Sequence, residues 1–145
     1  MKTNIATQVS LDKKRIAIIE DDDAIQSLIK TSLEMAFNNE TEILRFKNAR
    51  EAIFEIWERE ITDNMEIDLL FLDIFLDDKT NGLDILEYCQ FIPEDVTVVL
   101  MTSNFSEEQL DRILHLNIEP ILLKKPFTPR DIVYLTEWCF RIHQI

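Results

Sequence analysis

Four apolar runs in this chain end in residues that could share one reaction. Glu20, Asp21, Asp22 and Asp23 follow the first run, and Asp73 follows the second. Thr102 and Ser103 follow the third; Lys124 and Lys125 follow the fourth, just ahead of Pro126 and Phe127. Carboxylates brought close together repel one another and resist ionisation unless a cation sits among them. Hard oxygen donors in a small pocket with room for water favour Mg²⁺, with Mn²⁺ as the alternative. Such a cation neutralises charge on an incoming phosphoryl group. Asp73 is then a candidate nucleophile, since a carboxylate can form an acyl phosphate. Thr102 offers a hydroxyl, and Lys125 a mobile positive charge, to phosphoryl oxygens.

These residues act together only if the fold gathers them. The runs Arg15–Ile19, Leu69–Leu72, Val96–Met101 and Ile121–Leu123 are short, aliphatic and often β-branched. Continuous runs of that kind read as strands buried on both faces, which means a parallel sheet. Thr41–Phe46 mixes polar and apolar residues and suits an edge strand. Between the runs the period becomes helical. Ile25, Leu28, Ile29, Leu33 and Ala36 form one face, in a helix capped by Asp22 or Asp23. Ala49, Ala52, Ile53, Ile56, Trp57 and Ile61 form a second; Leu83, Leu86 and Cys89 a third; Leu110, Ile113 and Leu114 a fourth. Ser106 caps the fourth helix, with Glu107 and Glu108 suiting its first turn. Thr128 and Pro129 open the last helix.

Five strands alternate with five helices, strand first. Right-handed crossovers make this an α/β doubly wound sheet of five parallel strands between two helical layers. The expected order is 2-1-3-4-5, the flavodoxin-like order, with ligands at the carboxyl ends of the strands. Glu20, Asp21 and Asp73 then converge, with strands four and five delivering Thr102 and Lys125 beside them.

Other features exclude function classes. The 145 residues fit one domain, read as a flexible tail over 1–13 and a folded unit over 14–145. A net charge of −13 argues against binding nucleic acid or an anionic membrane surface. No apolar run is long enough to span a bilayer. The one glycine, Gly82, excludes glycine-rich phosphate loops and marks a backbone position that a side chain would block. Cys89 and Cys139 sit in apolar helical patterns and read as buried free thiols, which fits a cytoplasmic location. His115 and His143 have no partner pattern and read as packing or surface residues.

Five segments, in order and at the ends of the right strands, closely resemble the receiver domain of two-component response regulators. They are Ile18-Ile19-Glu20-Asp21-Asp22, Asp68 to Asp73, Asn81 to Leu86, Val99 to Ser103, and Leu123 to Phe127. The resemblance covers about residues 15 to 143. It implies Asp73 as phosphoacceptor, with metal ligands Glu20, Asp21, Asp73 and the backbone carbonyl of Phe75. It implies Thr102 as the switch hydroxyl, Ser103 as a small neighbour offering a backbone N–H, and Lys125 before a cis Pro126. It also implies a histidine kinase or histidine phosphotransfer protein as donor, a downstream protein target, and no enzymatic turnover beyond self-catalysed phosphorylation and dephosphorylation.

Two departures stand out. The usual proline after the phosphoacceptor is missing, and Asp77-Asp78-Lys79-Thr80 makes that loop look one residue longer. The family's switch aromatic falls on Leu122, so its coupling to the hydroxyl is expected to be altered or absent, with Phe105 as a partial substitute. No output domain follows Ile145, so the expected role is a stand-alone regulator signalling by protein contact. Apolar excess on the last helix, with Tyr134 and Trp138 on one face, suggests a docking surface or a homodimer through the last two helices. The alternatives are a pseudo-receiver that keeps the pocket without being phosphorylated, and an aspartyl-intermediate phosphatase. The latter would want a second acid where Phe75 stands.

Overall fold

The computed structural model describes residues 14–38, 40–58, 67–75, 82–90 and 96–143. The expected tail over 1–13, Ile61 and the Asp77-to-Thr80 segment lie outside the described residues. Strands β1 (Arg15–Ile19), β2 (Glu42–Phe46), β3 (Leu69–Asp73), β4 (Thr97–Thr102) and β5 (Ile121–Lys124) form one parallel sheet. Its order is β2-β1-β3-β4-β5, the order expected from the sequence. Helices α1 (Asp23–Phe37), α2 (Ala49–Ile53), α3 (Gly82–Cys89) and α4 (Glu107–Leu114) fill the four crossovers, and α5 (Pro129–His143) follows β5.

Strand alternation sorts the core into two layers. Ile16, Ile18, Leu69, Phe71, Val99 and Met101 face α1 and α5, meeting Ile29, Leu33, Ile132 and Phe140. Ala17, Ile19, Leu70, Leu72, Val98 and Leu100 face α2, α3 and α4, meeting Ala52, Leu86, Cys89 and Ile113. Every residue of β3 is buried, which suits the strand between two paired neighbours. Each such aliphatic side chain contributes about 1.5–3 kcal/mol on burial.

Three strands run one residue further than their apolar runs suggest. β3 ends at Asp73, β4 at Thr102 and β5 at Lys124. The ladder continues because Ile74 N–H donates to Met101 O (3.0 Å) and Lys125 N–H to Thr102 O (2.8 Å). The polar residues are thus delivered from hydrogen-bonded backbone rather than from free loops.

Helix boundaries follow their capping chemistry. Asp22 Oδ1 accepts from Ala24 N–H (2.8 Å) and Ile25 N–H (3.2 Å), so Asp22 is the cap and Asp23 the first helical residue. Ser106 Oγ accepts from Gln109 N–H (3.1 Å) while Gln109 Oε1 accepts from Ser106 N–H (2.9 Å), a reciprocal box. Other details differ from the periodic reading. The buried face of α1 is Gln26, Ile29, Ser32, Leu33 and Phe37, while Ala36 is exposed. The second helix passes into a π-helical turn, Phe54–Glu58, instead of continuing one regular face. On α4 only Ile113 is buried; Leu114 is 81% exposed.

Candidate functional site

The acids at the ends of β1 and β3 meet. Glu20, Asp21 and Asp73 each bring one carboxylate oxygen to a point where all three lie within 4.8 Å of one another. Glu20 is 0% and Asp73 3% exposed; Asp21 is half-buried. Two buried carboxylates at such range need positive charge nearby. Part of it comes from β5. Lys125 Nζ donates to Glu20 Oε1 (2.8 Å) and stands 3.4 Å from Asp73 Oδ2. The Lys125–Pro126 peptide bond is cis.

The remaining carboxylate oxygens are held by backbone. Asp22 N–H donates to Glu20 Oε2 (3.2 Å), and Phe75 N–H donates to Asp73 Oδ1 (3.2 Å). Burial raises the Glu20 carboxyl above its ordinary range; the Lys125 hydrogen bond opposes the shift and Asp73 adds to it. Burial alone would lower the Lys125 ammonium, but the hydrogen bond to Glu20 and the charge of Asp73 outweigh it, so the net shift is upward. Lys125 therefore stays protonated in the pocket.

Thr102 lies buried at the end of β4. Its Oγ1 donates to Asn104 O (3.4 Å) and accepts from Asn104 N–H (3.5 Å), both long and local. Ser103 is exposed beside it. Phe75 is exposed at the mouth of the β3 loop. Leu122, the position expected for a switch aromatic, is 43% exposed on the edge strand, whereas Phe105 packs against the core on the α4 side. Asp23, expected with Asp22 at the helix N-terminus, is the first residue of α1 and pairs with Lys47 (3.0 Å).

Gly82 sets the approach of α3 to the site. A Cβ added there would fall 2.1 Å from Asp73 O and 2.8 Å from Ile74 Cα. Gly82 N–H also donates to Ile74 O (2.9 Å). The glycine is needed for space, since its φ is not positive.

Sequence reasoning missed Gln26. This carboxamide is buried between β1 and β2, donating to Glu20 O (2.8 Å) and Phe46 O (2.7 Å). Its signal was available: Gln26, Ile29 and Leu33 share one helical stripe, so a large polar group sat on a mainly apolar face.

The chemistry of the donor set fits a small hard divalent cation. Three carboxylate oxygens converge, two of them on buried residues, which is the all-oxygen donor set such a cation prefers.

Comparison with known proteins agrees in kind. A family model described as response regulator receiver domain matches residues 16–137. Among solved structures, a CheY-like response regulator receiver domain protein from Methanospirillum hungatei JF-1 is 25% identical, with a TM-score of 0.75. The match covers 92% of this chain and 98% of that one. The phosphorylated cyanobacterial phytochrome response regulator RcpA is 21% identical over 87% of this chain and 90% of its own, TM-score 0.69. The Mn²⁺-bound form of response regulator Rcp1 is 22% identical over 86% and 90%, TM-score 0.66. No curated protein sequence matches the chain.

Proposed function

The chain belongs to the response regulator receiver domain family, and on that premise we propose that it is a phosphorylation switch whose acceptor is Asp73. The observation that carries this reading is the Lys125 ammonium lying against both Glu20 and Asp73, at the convergence of three carboxylates.

The donor is a histidine kinase or a histidine phosphotransfer protein. An Asp73 carboxylate oxygen attacks phosphorus, and the P–N bond to the donor imidazole breaks. The bonding pair stays on the imidazole nitrogen, and an acyl phosphate remains on Asp73. Glu20, Asp21, Asp73 and the Phe75 carbonyl would hold Mg²⁺, or Mn²⁺ in its place. Bound there, the ion neutralises charge on the transferring phosphoryl oxygens. Lys125 already stands beside Asp73 and donates to one of those oxygens. The Thr102 hydroxyl and the Ser103 backbone N–H, at the end of β4, take the others. Catalysis in this chain is confined to its own phosphorylation and dephosphorylation.

The donor docks on the α1 face and the loops around the acidic pocket. A groove of about 590 Å³ runs between α1 and the start of α5, lined by Ala24, Leu28, Met35, Pro129, Arg130 and Val133. Output is by protein contact in the cytoplasm, to a downstream target or a second copy of this chain through α4 and α5. Exposed Leu122 favours an output that does not use the family's aromatic switch.

The test is incubation with Mg²⁺ and acetyl phosphate, followed by intact-mass measurement. The reading expects a gain of one phosphoryl group, stable in acid and labile in base, that Asp73→Asn abolishes. A folded, Mg²⁺-binding protein that takes no phosphoryl group from this donor or a kinase is a pseudo-receiver. Multiple turnover on unrelated phosphate esters would mark a phosphatase.

A further inference from the structure

We infer that Gln26 is a positioning residue for the Glu20–Asp21 pair, with Arg45 fixing its carboxamide; this rests on the reading that the pair holds Mg²⁺. Gln26 is 2% exposed and lies in the apolar stripe of α1 with Ile29, Leu33 and Phe37. A leucine there would bury more apolar surface and leave no amide to satisfy. The carboxamide instead spends both of its N–H donors on strand ends. It bonds Glu20 O at 2.8 Å and Phe46 O at 2.7 Å.

Glu20 N–H also donates to Phe46 O (3.0 Å). The main chain of Glu20 is therefore pinned on both sides, at its N–H by β2 and at its C=O by Gln26. Its side chain is left to Lys125 and the Asp22 N–H. Gln26 N–H donates to Asp22 O (3.0 Å), the first helical hydrogen bond of α1, so the carboxamide is anchored on a helix that starts at the acidic corner.

Arg45 Nε donates to Gln26 Oε1 at 2.7 Å. Only the amide oxygen can accept that bond, so Arg45 selects the orientation that turns the NH₂ toward the two carbonyls. Arg45 is exposed on β2, the edge strand. A line of donors thus runs from the sheet edge to the metal-binding corner. Partners that orient ligand residues in this way set metal affinity as well as stability.

The test is calorimetric titration of the full chain with MgCl₂, well below the unfolding temperature. Gln26→Leu is expected to weaken Mg²⁺ binding about tenfold. Arg45→Met is expected to give a smaller loss in the same direction, and no further loss in the Gln26→Leu background, because it acts through the carboxamide. A purely structural role would lower the unfolding temperature and leave the Mg²⁺ dissociation constant unmoved; that result, or additive losses, overturns the inference. Should Gln26→Leu not fold, Arg45→Met decides alone, and an unchanged constant overturns it. Wild-type protein that is folded yet takes up no Mg²⁺ would defeat the metal reading and this inference together. Wild-type binding matched by equal binding in the variants defeats the inference only.

Discussion

Lys125 does two tasks at one position. It lies against the buried acids of the pocket, and under the proposed function it also meets a phosphoryl oxygen. Removing it leaves two buried carboxylates without their ammonium. Lys125→Met should therefore lose about 1–3 kcal/mol of stability without divalent cation, read from chemical denaturation. Mg²⁺ should then raise the unfolding temperature of the variant more than that of the wild type. The rate of phosphorylation should drop about a hundredfold, measured by the mass gain with time. Gly82 is the second sensitive residue. Alanine is the better helix former, so propensity alone predicts a gain of about 1 kcal/mol. The 2.1 Å approach to Asp73 O predicts the opposite, because two backbones must separate. Gly82→Ala should cost about 1–3 kcal/mol in thermal denaturation and slow phosphorylation, since it displaces the acceptor's own carbonyl.

At the scale of elements, the outer face of α5 carries its own symmetry. Asp131, Tyr134, Trp138 and Arg141 fall on one stripe, and Tyr134 and Trp138 are 66% and 57% exposed. An antiparallel second copy, centred on Thr136, sets Asp131 against Arg141 and Tyr134 against Trp138. If the output is self-association, Arg141→Asp should reduce it in sedimentation equilibrium, and adding Asp131→Arg should restore it. A monomer at every concentration, phosphorylated or not, would reject this face as the dimer contact. Other element-level features were only partly legible in the sequence. The parallel, doubly wound sheet followed from run length and alternation, which depend on backbone geometry common to such sheets, and the strand order was the flavodoxin-like choice among those they allow. Which residues of α1 and α4 turn inward did not. Leu114 belongs to the apolar pattern, yet α4 buries little besides Ile113, and packing against neighbours decides that rather than period. The π-helical turn after α2 likewise shifts the phase that a regular helix would keep.

For the whole molecule, the site was more legible than its supports. Residues 20, 21, 73, 102 and 125 carry chemistry that shows in their types and their places after apolar runs. Gln26 supports them from α1 and shows in the sequence only as a polar residue in a mainly apolar stripe, while its bonds to Phe46 O and from Arg45 join α1 to β2, a pairing no local pattern reveals. Stability of the assembled core also has a pH signature. Burial pushes the Cys89 thiol up to about 12 and that of Cys139 up to about 11, from an ordinary 9.0. In the unfolded chain these thiols ionise near 9, while in the fold they stay protonated. Their contribution is complete below that value and is lost as pH rises toward 11 and 12. The denaturation midpoint should fall above about pH 9, and fall less steeply in Cys89→Ala.

The central claim is that carboxylates from two strands and an ammonium from a third make Asp73 a phosphoacceptor. The direct measurement is to phosphorylate the chain with and without Mg²⁺, reduce the product with borohydride and map the modified residue by peptide mass spectrometry. The account predicts homoserine at position 73, formed with Mg²⁺ and much slower to form when Asp21 or Lys125 is replaced. Modification at another residue, or equal modification of Asp73 without the ion, would contradict it.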